Sequence, residues 1–259
     1  MEKIVWIDSH THMNDEVFVE NMEQHVALMK ENNVILANLI SYDQAGLEQA
    51  FYLQETYGDL FDHSVGVHPQ SLPEMDEAQR IQHLSYLSDP RVIAVGEIGL
   101  DYHWYPEHKE LQKEIFIQQI ELANVHKKPI MVHSRDAMKD TYDILKQHRP
   151  EYGCIMHCFS GSVEMALEFV KLGFYISLAG VLTFKNARVP VEVAKAVPLE
   201  LLLIETDAPY LTPVPFRGKQ NQTAYTKYVG EKLAEIKGLP TLEISRQLYK
   251  NYMKLTQRI

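Results

Sequence analysis

Residues 4–12 read IVWIDSHTH: a short apolar run that breaks off into two histidines one residue apart. An apolar run of this length, bounded by polar residues, fits a strand buried on both faces. No glycine-rich phosphate loop follows it, which counts against a dinucleotide-binding start. The pair His10 and His12 stands instead where the chain leaves that strand. On an extended segment, residues two apart point to one side, so both imidazoles can face one cation.

The same pattern recurs along the chain. Further strands are expected at 34–40, 64–68, 92–98, 130–133, 155–159, 174–178 and 201–205, beside the first at 4–8. Amphipathic stretches separate them, the clearest at 107–126, where Leu111, Ile115, Ile120, Leu122 and Ala123 form an apolar stripe. Strands alternating with helices make repeated βαβ units, and eight of them point to an α/β fold closed as a single (β/α)8 TIM barrel. Alternation alone also fits an open doubly wound sheet. A closing helix is expected within 239–259. No linker, repeat or low-complexity tract divides residues 1–259, which read as one domain.

Composition narrows the class. The hydrophobic share of 46% and charged share of 23% are those of a soluble globular chain. No apolar run is long enough to span a membrane, and the first fifteen residues carry no secretory pattern. Two cysteines, Cys154 and Cys158, make no disulfide framework and no zinc-ribbon spacing, which suits a reducing cytoplasm. A net charge of −10 excludes a protein that coats nucleic acid through a basic surface, though not a nuclease with a few local cations.

Chemistry-bearing side chains share one register. His68 ends SVGVH, Glu97 and Asp101 lie in VIAVGEIGLDY, His133 ends PIMVH, His157 ends CIMH and Asp207 follows LLLIET. Each sits at or just past the C-terminal end of a strand, the face where barrels build their sites. Imidazole mixed with carboxylate suits zinc, manganese, iron, cobalt or nickel better than calcium. Four histidines and two carboxylates exceed the three protein ligands of one catalytic zinc, so two cations sharing a carboxylate are expected. Two metals about 3.5–4 Å apart suit displacement at phosphorus.

The motifs DSHTH, GVHP, GEIGLDYHW, HSRDA, HCFSG, TFKN and ETDAPYLTPVPFRGK, in order over the whole chain, resemble the TatD family of metal-dependent deoxyribonucleases. The resemblance implies a barrel of the amidohydrolase superfamily with ligands His10, His12, Glu97, His133, His157 and Asp207. Glu97 would bridge two divalent cations of the zinc, manganese, magnesium, nickel or cobalt type. Family members commonly read RNEPAY after the basic turn; here residues 220–225 read QNQTAY, which bears on substrate contacts and not on the metal ligands.

The expected function is a cytoplasmic exonuclease that cleaves DNA, at single-stranded or frayed ends, with a metal-activated water. It would need no membrane and no obligate protein partner. Asp207 is the group expected to take the water's proton. His68 is expected to contact the phosphate or leaving oxygen, or to support a ligand. Asp101 would orient an imidazole. Arg135, Arg217 and Lys219, with Lys185 and Arg188, are candidate phosphate contacts, and Tyr102, His103 and Trp104 candidate stacking partners for bases. Surface salt bridges and lid packing explain the same residues. His25, His83, His108, His126 and His148 read as solvated helical residues. Cys154 and Cys158 read as packed and inert, facing away from His157. A carbonyl hydrolase acting on an amide, lactone or aminoacyl-tRNA ester, and a non-catalytic binding barrel, are the competing readings.

Overall fold

A computed structural model describes residues 3–259. Eight strands follow one another in the sheet in chain order, each parallel to the next. They are β1 Trp6–Thr11, β2 Val34–Ser41, β3 Phe61–Val65, β4 Val92–Asp101, β5 Ile130–Arg135, β6 Cys154–Met156, β7 Tyr175–Leu178 and β8 Leu202–Ile204. Hydrogen bonds close the seam between the last strand and the first. Asp207 N–H donates to His10 O at 3.0 Å, and His12 N–H donates to Ala208 O at 2.9 Å. The Ser9 hydroxyl donates to Ile204 O at 3.0 Å. The chain is therefore a (β/α)8 barrel, as its strand alternation predicts.

Helices lie between the strands and bury their apolar stripes against the sheet's outer face. The expected helix at 107–126 is Lys109–Val125, and it buries Ile115, Phe116, Ile120 and Ala123. A second cluster gathers Ile7, Leu36, Ala94, Met131, Ile155 and Leu203 from the early residues of six strands. Tyr252, Met253 and Leu255 of the last helix, Thr241–Leu255, pack onto it. That helix covers the N-terminal end of the barrel, so the C-terminal ends are left to form the mouth. Among the described residues no helix is long and apolar enough to cross a membrane.

Several strand limits differ from the sequence reading, and the differences move functional residues. β1 runs on to Thr11, so His10 lies within the strand. β3 ends at Val65, which leaves His68 in the loop, capping the short turn Pro69–Ser71. β6 stops at Met156, so alternation does not carry past it. Cys158 accordingly does not continue the face of Cys154: it adopts φ 41° and is half-buried, whereas Cys154 is wholly buried. Burial, then the nearby carboxylates of Asp207, Glu205 and Glu97, push the Cys158 thiol well up, so it stays protonated.

Candidate metal centre

Glu97 is the hub of the mouth. It lies on β4 between Gly96 and Gly99, and both glycines are required by close approach to β5. A Cβ on Gly99, whose φ is +140°, would sit 2.1 Å from His133 O. A Cβ on Gly96 would sit 2.6 Å from Met131 Cβ. Without side chains at these two points, β4 presses against the strand that carries His133.

The two carboxylate oxygens of Glu97 face different neighbours. Oε2 lies 3.3 Å from His10 Nε2 and 3.9 Å from His12 Nε2. Oε1 lies 2.7 Å from His157 Nε2, 2.8 Å from His133 Nδ1 and 3.3 Å from His68 Nε2. Asp207 completes the first group, with Oδ1 3.4 Å from His12 Nε2 and 3.7 Å from His10 Nε2. It stands just past β8 in the left-handed region, at φ 54°, a conformation uncommon for a residue with a side chain. The structure thus brings His10, His12, His68, Glu97, His133, His157 and Asp207 from across the chain into one cluster.

Two of the three histidines on the Oε1 side, His133 and His157, are built alike. His133 turns Nδ1 to Glu97 and Nε2 to Asp101 Oδ2, at 3.0 Å. His157 turns Nε2 to Glu97 and Nδ1 to Glu205 Oε1, at 3.2 Å. Each outward nitrogen meets a buried carboxylate, which fixes the ring and leaves the inner nitrogen aimed at the centre. Asp101 also accepts from Gln70 Nε2 at 2.8 Å and from the amides of His103 and Trp104. Burial alone would raise its carboxyl; those hydrogen bonds outweigh burial and hold it below the usual range.

Glu205 was not foreseen in the sequence. It is wholly buried, accepts the Cys158 amide at 2.7 Å, and keeps Oε2 without a hydrogen-bond partner. Its signal, an acid two residues before Asp207 at a strand end, is masked by the more conspicuous aspartate.

His68 differs from the other imidazoles. Its Nδ1 accepts the Gln70 amide at 3.1 Å. Burial, the largest influence, lowers its pKa below the ordinary value, so the ring is neutral and its one proton sits on Nε2. That N–H points at the cluster as a donor, which a ligand nitrogen would not do.

The electrostatics match a cation centre. Burial lowers the His10 pKa, and the neighbouring His157 charge adds to it. Both His10 ring nitrogens are buried without a hydrogen-bond partner, as is His12 Nδ1. Burial opposes charge on Glu97, yet the facing imidazoles His157, His68 and His10 hold its carboxyl well below the usual range. Groups of donor atoms within 4.8 Å of one another are His10, His12 and Asp207; His10, His157 and Glu205; and His68, Glu97 and His133. Imidazole nitrogens left bare on His10 and His12 beside an ionised carboxylate are part of a donor set that suits a divalent transition metal.

The outer residues divide. Arg135 ends β5 in the open, with its guanidinium 5.4 Å from the Trp104 ring centroid. Arg217 lies over Phe184 at 3.7 Å and Lys219 over Phe216 at 5.8 Å. Arg188 pairs with Glu192 on its own helix, and Tyr102 donates to Asp140 at 2.8 Å beneath Lys109, so neither faces the cluster. His103 lies 3.2 Å from Asp136. His83 is buried, not solvated, because it turns inward to lie 3.2 Å from Ser41 O. In the divergent stretch 220–225, Asn221 is wholly buried and donates to Thr206 O and Tyr210 O, tying down the loop that follows Asp207.

Comparisons with known proteins agree with this geometry. The family model described as TatD related DNase matches residues 7–257. The uncharacterized metal-dependent hydrolase YabD of Bacillus subtilis strain 168 is 41% identical over 96% of this chain and 97% of its own. The uncharacterized metal-dependent hydrolase YcfH of Escherichia coli K12 is 35% identical over 96% and 94%. The crystal structure of YJJV, a TatD homolog from Escherichia coli K12, superposes with a TM-score of 0.91 at 29% identity, covering 96% of this chain and 97% of that one.

Proposed function

Because the chain belongs to the TatD family and is a metal-dependent hydrolase, we propose that it cleaves DNA phosphodiester bonds, working inward from single-stranded or frayed ends with two divalent cations. The observation that carries this reading is the division of Glu97. One oxygen faces His10 and His12, with Asp207 beside them, and the other faces His133 and His157. A single carboxylate set between two imidazole groups is what a shared bridge needs.

The candidate ligands are His10, His12, Glu97 and Asp207 for one cation, and Glu97, His133 and His157 for the other. When bound, cations of the zinc, manganese, magnesium, nickel or cobalt type supply charge neutralisation at a phosphoryl group and lower the pKa of water. The chain's own residues do the rest. Asp207 is the proton acceptor, a carboxylate held below its usual pKa by the facing histidines although burial opposes this. His68 donates its Nε2 proton to a phosphoryl or leaving oxygen. Asp101 and Glu205 hold His133 and His157 in register. Arg135, Arg217 and Lys219 contact backbone phosphates at the rim. We place the enzyme in the reducing cytoplasm, since Cys154 and Cys158 are both free thiols.

The test is digestion of end-labelled single-stranded DNA with each cation in turn, alongside calorimetric metal titration. Release of mononucleotides and a stoichiometry of about two cations per chain are expected. Hydrolysis of amides, lactones or aminoacyl esters with intact DNA would overturn the phosphodiesterase reading.

A further inference from the structure

Two large aromatic rings stand in the open at the mouth. Tyr210 is 58% exposed and Trp104 is 56% exposed. Both are joined to the cluster through short, fixed connections. Tyr210 N–H donates to Asp207 O at 2.9 Å, and its ring lies edge-on to His12, 6.4 Å between centroids. Trp104 N–H donates to Asp101 Oδ1 at 3.1 Å, and Asp101 in turn holds His133. Tyr210 follows β8, beside β1, whereas Trp104 follows β4, beside β5. In a ring of eight strands these are opposite arcs, with Glu97 between them.

The groups next to the two rings differ in charge, while Arg217 and Lys219 lie farther out on the loop after Tyr210, over Phe184 and Phe216, and Asp136 beside Arg135 is turned to His103. The Tyr210 side carries the Asp15 carboxylate, close enough to act on Tyr210 and on Tyr42, whose ring is 5.6 Å from His12. The Trp104 side carries Arg135, exposed and, among the described residues, in no ion pair with a carboxylate. An exposed cation in no ion pair among the described residues, set over an exposed indole, is a place for a phosphate beside a base.

We propose that Tyr210 and Trp104 are the base-stacking platforms on either side of the scissile linkage. Tyr210 takes the terminal nucleoside, which brings no further phosphate toward Asp15. Trp104 takes the next nucleoside inward, whose continuing backbone meets Arg135. The inference rests on the nuclease reading and adds to it the substrate: an unpaired strand held by two bases, with a defined outward and inward side.

A double-mutant cycle between ring and base tests it. The substrates are a single-stranded oligonucleotide and two versions lacking the base at the terminal or the penultimate nucleotide of the digested end. Tyr210→Ala and Trp104→Ala should each raise KM about tenfold with kcat little changed. Tyr210→Phe and Trp104→Phe should restore it. Removal of the terminal base should weaken the wild type but add nothing in Tyr210→Ala, and removal of the penultimate base should add nothing in Trp104→Ala. Additive penalties, or equal wild-type rates on intact and base-free substrates, would overturn the stacking proposal and leave the nuclease reading standing. Failure of the wild type to digest any DNA with any cation would overturn the nuclease reading itself.

Discussion

Nε2 of His157 lies 2.7 Å from Glu97 Oε1 while Nδ1 of the same ring lies 3.2 Å from Glu205. One imidazole is thus clamped between the hub of the cluster and a fully buried acid. Burial disfavours its charge, but Glu97 and Glu205 outweigh burial and raise its pKa well above the ordinary value. Removing the hub should therefore disperse the cluster's function and not the fold. Glu97→Ala is expected to lose metal-dependent turnover and cation uptake while far-ultraviolet dichroism stays that of the parent. Retained turnover would sink the bridging role.

Asp101 and Glu205 hold the rings of His133 and His157, and through those rings are expected to act on bound metal. Asp101→Ala and Glu205→Ala should each weaken cation binding about 10–100-fold. Titration calorimetry reads this directly. Unchanged affinity in both variants would show that the ring orientation is set by packing alone.

His68 keeps its proton on the nitrogen facing Glu97, because the Gln70 amide occupies the other one. His68→Gln should lower kcat about 100-fold or more. Its cation content, measured by elemental analysis after gel filtration, should match the parent. Loss of one cation equivalent would instead make His68 a ligand.

Acid should weaken the fold through His63, on the far side of β3 from the mouth chemistry. It is wholly buried, with Nε2 2.8 Å from the Ser41 hydroxyl and Nδ1 without a hydrogen-bond partner. Burial, then the nearby His83, lowers its pKa from 6.5 to about 3. Between those limits the unfolded chain binds a proton that the native state refuses, so stability present above about pH 6.5 is lost as pH falls toward about 3. In His63→Gln, the pH slope of unfolding free energy over that window should shrink by about 1.4 kcal/mol per unit. Equal slopes for variant and parent would dispose of the assignment.

Much of the fold was legible in the sequence because parallel strands are apolar on both faces. LLLI and VILANLI announce themselves where an alternating strand would not. Strand ends were harder. β1 continues through Ser9, His10 and Thr11, polar residues with hydrogen bonds to Ser177 of β7, Ile204 of β8, and Asp207 and Thr223 beyond it, across 168 or more positions of chain. No local pattern signals such a partner. The gathering of His10, Glu97, His157 and Asp207 could be inferred from their common register at strand ends. Glu205 could not, since its partner His157 is 48 residues away. His83 was misread for the opposite reason. Its helix, Glu77–Ser85, is largely polar, and only the backbone carbonyl of Ser41 explains a histidine on the inner face.

Asn221 gives the mouth a fixed margin. Its amide holds Thr206 O and Tyr210 O together, and its own N–H reaches Pro209 O at 3.0 Å. The excursion between, from Leu211 to Gln220, is stapled at its base while Arg217, Gly218, Lys219 and Gln220 project into solvent. On the nuclease reading proposed above, substitutions at that tip can change which strands are gripped without disturbing Asp207. Selectivity in this molecule is free to drift on a tether whose innermost knot is the Asn221 amide, with Thr212 and Thr183 tying the loop farther out.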